Sequence, residues 1–182
     1  MNPSEDIHEP ASPDLAADDR RSVWNRRRFE DELDRHFARS LGEGETIGLL
    51  SIDVDGYRDV IQRHGAIAAE GLIRSISDVL VSRLGPNQML ARMGGDEFEA
   101  ALPGATAHVV WALADDLCTA VREHSHAVGC ARVHATISIG CVVLDPGTLT
   151  HHDAQVAADT ALHKAKAQGG DRAILHEPSQ GE

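Results

Sequence analysis

Apolar residues recur along the chain at two spacings, one typical of helices and one typical of buried strands. Phe29, Leu33 and Phe37 are four residues apart, which predicts an amphipathic helix over 26–40. The run TIGLLSIDV at 46–54 has few polar positions, as expected of a strand that is buried on both faces. These two elements predict a helix that is followed by a central strand.

The same two spacings predict the remaining elements. Helices are predicted over 57–64, 67–84, 106–124 and 152–167, and strands over 88–93, 96–103, 134–144 and 172–175. Helices that alternate with a few strands predict an α/β (α+β) fold, in which helices cover a central mixed sheet. The pattern leaves the order of the strands open.

The composition is that of an ordinary globular protein with a strongly negative charge. The 182 residues suit one domain, and 42% of them are hydrophobic. The formal net charge of −12 argues against nucleic acid or a membrane as a partner, because anionic surfaces require a basic face. A nucleoside triphosphate is compatible with this charge, since a bound divalent cation inverts it locally. The basic run RRSVWNRRRF at 20–29 could form a nucleic-acid patch, but acidic residues on both sides favour a solvated helix start.

The two ends of the sequence and its cysteines favour a cytoplasmic protein. We expect residues 1–17 to be a flexible segment, 18–176 a single domain and 177–182 a flexible tail. No apolar run approaches the roughly 20 residues of a membrane span, and the first residues lack the features of a signal peptide. The three widely spaced cysteines are predicted to be free, partly buried thiols rather than a disulfide or a zinc site.

Two glycines run directly into two acids in the stretch RMGGDEFEA, and a third acid, Asp53, ends the predicted central strand. If this strand lies beside the hairpin, Asp53, Asp96 and Glu97 converge, and such an all-oxygen set suits Mg²⁺ or Mn²⁺. Gly94 and Gly95 have no Cβ atoms and would allow the backbone to approach a ligand closely. The alternative is that the two glycines form only a hairpin turn and that Asp53 only caps the next helix.

The string RMGGDEF resembles the signature of the GGDEF domain, the diguanylate cyclase family. Further motifs of that family recur in the expected order: NRRRF at 25–29, SIDVDGYR at 51–58, LP at 102–103, TISIG at 136–140 and ADTALHKAKAQGGDR at 158–172. The resemblance implies a mixed, mainly antiparallel sheet flanked by helices, as in nucleotidyl cyclases and polymerase palms. It also implies a nucleotidyltransferase that condenses two GTP into cyclic di-GMP with release of pyrophosphate, acting as a homodimer with one GTP in each domain.

The resemblance assigns metal ligands and catalytic groups to the three acids. Asp53 and Asp96 would bind Mg²⁺ or Mn²⁺, with the Val54 carbonyl assisting. Glu97 would bind the metal or activate the 3′-hydroxyl of GTP. All three acids are therefore candidate catalytic residues.

The resemblance also assigns residues to the triphosphate. Arg58 stands where the family has Lys and would contact the terminal phosphates, with Lys166 as the second cation. The backbone N–H groups of Gly56 and Tyr57 would hold phosphate oxygens, a role that oriented amides can serve. The Gly94-Gly95 turn would lie against the substrate.

Two positions of the implied base site depart from the family pattern. Ile61 replaces the Asn that binds guanine, and Glu70 replaces an Asp. Glu70 can accept hydrogen bonds from N1 and N2 of guanine, whereas Ile61 offers only shape. Because a lost polar contact to a base edge removes discrimination, we hypothesise weaker GTP binding or a relaxed choice of purine.

Three further departures concern the phosphates, the product and the entry segment. The stretch GPNQ at 85–88 replaces the R-x-x-D that binds product in many family members, so no product-inhibition site is predicted. Gly170 replaces a phosphate-binding Arg, with Arg172 as its candidate substitute. The usual L-T-G-L is RRSV at 20–23, which predicts a loose entry segment. Four other family positions are interpreted as structural: Arg92, Thr136, Ser138 and Asp159.

Two functions are compatible with these residues. We favour an active metal-dependent diguanylate cyclase, because the acids and both cations that transition-state charge requires are present. The alternative is a catalytically weak domain that binds GTP or another purine nucleotide as a signalling module. Since fewer than 20 residues precede the domain, we expect control by protein concentration, by a protein regulator or by a sensory domain missing from this sequence.

Overall fold

A computed structural model describes residues 22–145 and 150–176. Its helices are α1 (Arg26–Glu43), α2 (Tyr57–His64), α3 (Ala66–Arg83), α4 (Ala107–Glu123) and α5 (His151–Ala167). Its strands are β1 (Trp24–Asn25), β2 (Ile47–Val54), β3 (Met89–Gly94), β4 (Glu97–Pro103), β5 (His126–Val128), β6 (Ala131–Val133), β7 (Ile137–Leu144) and β8 (Ala173–Leu175). The flexible ends predicted for residues 1–17 and 177–182 lie outside the described residues.

Six of the strands form one mixed sheet in the order β1-β3-β4-β2-β7-β8. The inner pairs are antiparallel, and the two edge pairs, β1 with β3 and β7 with β8, are parallel. The predicted fold class, a mixed and mainly antiparallel sheet flanked by helices, is confirmed. Strands β5 and β6 pair with each other outside this sheet.

Helices cover both faces of the sheet, so β2 is buried along its whole length. On one face Leu50 and Ile52 belong to a core that α3 and α4 complete. On the other face Leu49 packs in a second core with Phe29 and Leu33 of α1 and with residues of α5. Because β2 lies in the middle of the sheet, the loop that follows Val54 lies at the centre of the edge that is formed by the strand ends.

Helix α5 lies directly against the backbone of β7. A Cβ atom at Gly140 would come well within 3.0 Å of the Ala158 carbonyl oxygen and of the Leu162 backbone nitrogen. The inner face of α5 is built from alanines that are fully buried: Ala154, Ala158, Ala161 and Ala165. These small side chains and Gly140 set the close approach that fixes the height of α5 above the sheet.

The structure differs from the predicted elements at the short strands. Strand β1 and the β5–β6 hairpin were not predicted, and β7 begins at residue 137 rather than 134 because residues 131–133 pair with β5. The predicted hairpin is present, but its turn is Gly95-Asp96, since Gly94 already pairs with Glu97 after a bulge in β3. Asp96 therefore lies in the turn itself, whereas it was expected to be the first residue of the second strand.

The structure describes the burial of all three cysteines and the lengths of the helices. Cys118 and Cys141 are buried and Cys130 is exposed, and all three are free, as predicted. Burial raises the pKa of the Cys118 and Cys141 thiols to about 12. Within the described part of the chain, no helix has both the length and the apolar character needed to cross a bilayer.

Candidate active site

The three acids meet where β2 ends beside the β3–β4 turn. The antiparallel register of β2 and β4 places Asp53 directly opposite Glu97. The backbone N–H of Val54 donates a hydrogen bond of 3.1 Å to the carbonyl oxygen of Asp96. Side chains of directly opposite residues leave the same face of a sheet, with Cβ atoms about 4.5–5.5 Å apart. The structure thus brings Asp53 beside Asp96 and Glu97, although more than 40 positions separate it from them in the sequence.

Asp53 is the buried member of this group, with a residue exposure of 7%. The ammonium nitrogen of Lys166, at the end of α5, lies 2.7 Å from its Oδ2 atom. Burial raises the pKa of the Asp53 carboxyl, and the negative charges of Asp96 and Asp55 act in the same direction. The hydrogen bond and charge of Lys166 oppose this effect without reversing it.

The chemistry of the donor set fits a hard divalent cation. Asp53, Asp96, Glu97 and the Val54 carbonyl offer oxygen only, which suits Mg²⁺ or Mn²⁺ better than zinc. Within residues 22–145 and 150–176, however, no three His, Cys, Asp or Glu side chains are already gathered around one point as a finished metal site. One oxygen of Asp53 is bound by Lys166, and Glu97 is exposed. The donors are therefore neighbours that a cation would have to draw together.

The loop after β2 leads directly into α2, whose first turn contains Arg58 and one acid, Asp59. Gly56 is the N-cap of α2 in a left-handed conformation, with φ of 69°, which a residue with a side chain adopts only with strain. A Cβ atom at Gly56 or Gly95 would meet nothing within 4 Å, so both glycines border open space. The first turn of a helix carries a partial positive charge that favours phosphate. Arg58, in this same turn, is exposed.

Asp55 has a structural role that the sequence analysis did not identify. Its carboxylate accepts hydrogen bonds from the Thr136 hydroxyl (2.8 Å), the Ser138 hydroxyl (2.7 Å) and the backbone N–H of Asp171 (3.0 Å). These bonds connect the end of β2 to β7 and to the loop that follows α5. Thr136 and Ser138 are structural, but only Ser138 lies in the sheet, and both act by donating to Asp55, which the sequence alone did not indicate.

The implied base site contains an acid that already has a partner. Both oxygens of Glu70 accept hydrogen bonds from Arg92, at 2.6 and 2.9 Å, and Arg92 also donates to the Gly95 carbonyl. The hydrogen bond from Arg92 lowers the pKa of Glu70. Burial, followed by the charge of Glu70, raises the pKa of the neighbouring Tyr57. Arg92 is therefore structural, as expected, and Glu70 is not free to bind a base without rearrangement. Ile61 lies on α2 with 37% exposure.

The remaining departures are explained by local contacts. Gly170 has φ of 71°, and a Cβ atom there would lie 3.0 Å from Oδ1 of Asp55. Arg172 donates to the Gly170 carbonyl and to the Gln168 side chain, so its guanidinium is bound to its own loop rather than presented to a phosphate. In the GPNQ turn, the backbone N–H of Gly85 donates to the Gln88 side chain, which closes the turn on itself.

The sequence is similar to known proteins over most of its length. The family model described as diguanylate cyclase, GGDEF domain, matches residues 16–172. The chain is 29% identical over 157 residues to a probable diguanylate cyclase, DgcE, of Escherichia coli, and 28% identical over 155 residues to the cyclic di-GMP phosphodiesterase PdeR of the same organism. These matches cover 86% and 85% of the chain, but only 14% and 23% of the two relatives.

A solved structure shows the same fold. The GGDEF domain of DgcB from Caulobacter crescentus, determined in complex with cyclic di-GMP, superposes with a TM-score of 0.81 at 27% sequence identity. The match covers 93% of this chain and all of that domain. The similarity therefore extends over the sheet, the helices and the edge at which the acids meet.

Proposed function

The chain belongs to the diguanylate cyclase GGDEF domain family, and from this membership we propose that it condenses two GTP into cyclic di-GMP. In each of two steps, the 3′-oxygen of one GTP forms a bond to the α-phosphorus of the other, and the bond from that phosphorus to the pyrophosphate oxygen breaks. Two pyrophosphates leave, and each attacking hydroxyl loses a proton. The observation that carries the proposal is the meeting of Asp53, Asp96 and Glu97 beside Lys166.

The acids would hold the divalent cation. Asp53, Asp96 and the Val54 carbonyl are the ligands that we assign, with Glu97 as a further ligand or as the group that accepts the proton of the 3′-hydroxyl. When bound, Mg²⁺ or Mn²⁺ would supply charge stabilisation to the α-phosphate and lower the pKa of the attacking hydroxyl. Asp53 is fixed by its place in the central strand, whereas Glu97 is exposed and can move toward substrate.

The cations and amides around this edge would hold the triphosphate. Lys166 and Arg58 would contact the terminal phosphates, and the amides of Gly56 and Tyr57 would contact phosphate oxygens at the start of α2. Gly94 and Gly95, at the β3–β4 turn, border open space and would allow the substrate to lie close to the backbone. The base would lie near Ile61 and Glu70.

The product requires two such sites that face each other. One domain carries one set of acids, and cyclic di-GMP needs two equivalent attacks between two nucleotides. A twofold homodimer provides them because each protomer presents the same surface to the other. The rate per chain is therefore expected to rise with protein concentration until the dimer is saturated.

The test is product analysis by mass spectrometry after incubation of concentrated protein with Mg²⁺ and GTP, ATP, or both. We expect cyclic di-GMP and pyrophosphate from GTP. Asp96→Asn removes a metal-binding charge at a turn position, and loss of one such electrostatic contribution is expected to reduce the rate by about 10²–10³-fold. Lys164→Met, on the outer side of α5, is the matched control and should retain the wild-type rate.

Two results would contradict the proposal. An equal rate in Asp96→Asn would separate the acids from the chemistry. Binding of GTP without pyrophosphate release by the wild-type dimer would identify the chain as a nucleotide-binding signalling module instead. The products formed from ATP alone and from the mixture measure how strictly the base site selects guanine.

A further inference from the structure

We propose that Lys166 is a resident cation on Asp53, and that it makes the metal and the triphosphate bind together rather than the metal first. This inference rests on the proposed function, because it concerns the same acids and the same nucleotide. It assigns Lys166 a second role beyond contact with a phosphate. It also explains why the acids are neighbours without forming a finished metal site.

The ion pair has one fixed and one movable partner. Lys166 Nζ lies 2.7 Å from Asp53 Oδ2, and the side-chain exposures are 40% for the lysine and 11% for the aspartate. Asp53 is at the end of the central strand, hydrogen-bonded into the sheet on both sides. Lysine has a flexible stem and a compact charge that can change partner without moving the backbone. Only the lysine can therefore leave.

The backbone of Lys166 is held in place by two sets of contacts. Helix α5 packs on β7 at Gly140, and the loop after α5 donates to Asp55 through the Asp171 N–H. Asp171 also accepts a hydrogen bond of 2.7 Å from Arg122 on α4. The lysine head is thus kept within reach of Asp53, at the end of β2 from which the loop to α2 begins.

Charge determines what can replace the lysine. Asp53, Asp55 and Asp96 are close enough that the charges of the other two disfavour ionised Asp53, and Lys166 offsets this repulsion. A divalent ion that arrives alone either displaces the ammonium from Oδ2 or binds beside it through Oδ1, and in both cases two positive charges lie close together. A metal–triphosphate complex brings a cation for Asp53 and an anion for Lys166, so both groups exchange partners without an unpaired charge. Metal and nucleotide are therefore expected to bind with positive coupling.

The experiment measures metal binding without turnover. Binding of Mn²⁺ is followed by electron paramagnetic resonance of the free ion, with and without 3′-deoxyGTP, which lacks the attacking hydroxyl. In the wild type, 3′-deoxyGTP should tighten Mn²⁺ binding by on the order of 5–150-fold. In Lys166→Met, Mn²⁺ alone should bind on the order of tenfold more tightly, because Asp53 is free, and the coupling to 3′-deoxyGTP should fall.

Two variants serve as controls. Lys164→Met makes the same change of charge in the same helical turn and should bind Mn²⁺ as the wild type does. Lys166→Arg keeps a cation at the position and should keep Mn²⁺ binding weak. If Lys166→Met destabilises the end of α5 in a thermal melt, Lys166→Gln provides the same loss of charge with a polar head.

The outcomes separate this inference from the proposed function. Unchanged or weaker Mn²⁺ binding in Lys166→Met and Lys166→Gln would overturn the resident-cation role, even if GTP is still converted to cyclic di-GMP. Tighter Mn²⁺ binding in these variants supports that role, even if the wild type forms no product from GTP. Equal tightening in Lys164→Met would show a general charge effect and would also overturn it.

Discussion

At the scale of single residues, Asp53 and Asp55 show how two similar acids acquire different roles. They are two positions apart at the end of β2, and both follow the family pattern. Asp55 accepts three hydrogen bonds from fixed donors, so its oxygens are used within the fold. Asp53 has a lysine that can leave as its partner. The acid with the exchangeable partner is the one suited to a ligand.

Gly170 offers a test of how tightly the Asp55 contacts are packed. Gly170 and Gly44 have nearly the same left-handed φ, 71° and 73°, but only Gly170 would place a Cβ atom against Asp55. Gly44→Ala is expected to lower the free energy of unfolding by about 1–2 kcal/mol through backbone strain alone. Gly170→Ala should lose about 1 kcal/mol more, the contribution of one hydrogen bond of Asp55. Urea unfolding of both variants measures the difference, and equal losses would show that the Asp55 contacts tolerate the added methyl group.

The sequence identified the candidate catalytic and binding residues but not all of their side-chain hydrogen-bond partners. The acids Asp53, Asp96 and Glu97 were found from their positions at a strand end and beside a predicted hairpin turn, and Lys166 was assigned from the resemblance to the GGDEF family. The pairing of Glu70 with Arg92 was not predicted, since the two residues are 22 positions apart on a helix and a strand whose contact no local pattern records. The expectation that Glu70 faces a base came from the resemblance to the family alone.

At the scale of elements, the position of α5 determines whether Lys166 reaches Asp53. The helix carries Lys166 in its last turn, and its distance from the sheet is set by alanines on one side and Gly140 on the other. A shift of α5 away from β7 would move the lysine away from the acids. The packing between α5 and β7 is therefore part of the candidate site, although none of its residues is charged.

Gly140→Ala tests this packing. The new methyl group would clash with backbone atoms of α5, which cannot rotate away, so the helix must shift. Overpacking of this kind typically costs about 1–3 kcal/mol of stability, and we expect a parallel loss of 3′-deoxyGTP binding. Gly71→Ala is the matched control, because Gly71 lies within α3 and a Cβ atom there meets only the Ala127 carbonyl oxygen at 3.8 Å. It should stabilise the protein by up to about 1 kcal/mol through helix propensity. Destabilisation by both variants, or by neither, would contradict this account.

The long elements could be predicted from the sequence, and the short ones could not. The longer helices show several turns of apolar periodicity, and the buried strands β2 and β7 are mostly apolar runs of 8 residues each. Strand β1 has two residues, and β5 and β6 have three each, so no period can be read from them. Their pairing depends on neighbours that are distant in the sequence, such as β3 for β1. The start of β7 was misplaced for the same reason.

At the scale of the whole molecule, buried titratable groups make the stability of the fold depend on pH. Burial raises the pKa of Glu99 and of Asp53, so their contributions to stability increase as the pH falls. Burial lowers the pKa of His126 and of His36, and their contributions decrease as the pH falls. The two pH dependences have opposite signs and fall in the same acidic range, so only a comparison of variants can separate them.

His126 is the group for which this comparison is sharpest. It is 0% exposed, its Nε2 donates to the Val121 carbonyl oxygen (3.1 Å), and its Nδ1 accepts from the Ser75 hydroxyl (2.9 Å). Burial is the main cause of its lowered pKa, and the charges of the surrounding side chains, His124, His134 and Arg132, act in the same direction. The unfolded chain therefore takes up a proton at about pH 6.5 while the folded chain resists it. The stability contributed by neutral His126 is complete above pH 6.5 and is lost as the pH falls toward the lowered folded value.

His126→Gln should remove this part of the pH dependence while keeping a donor and an acceptor at the site. Between pH 7.5 and pH 5.5 the wild type should lose more free energy of unfolding than the variant, by at most about 1.4 kcal/mol, since one pH unit lies below the unfolded value. Urea unfolding at both pH values gives the two losses, and His108→Gln, at an exposed position of α4, controls for the removal of one histidine. If His126→Gln loses as much stability as the wild type over this range, His126 does not resist protonation in the folded protein. The acid sensitivity would then come from other groups, for example His36, whose pKa is also lowered by burial.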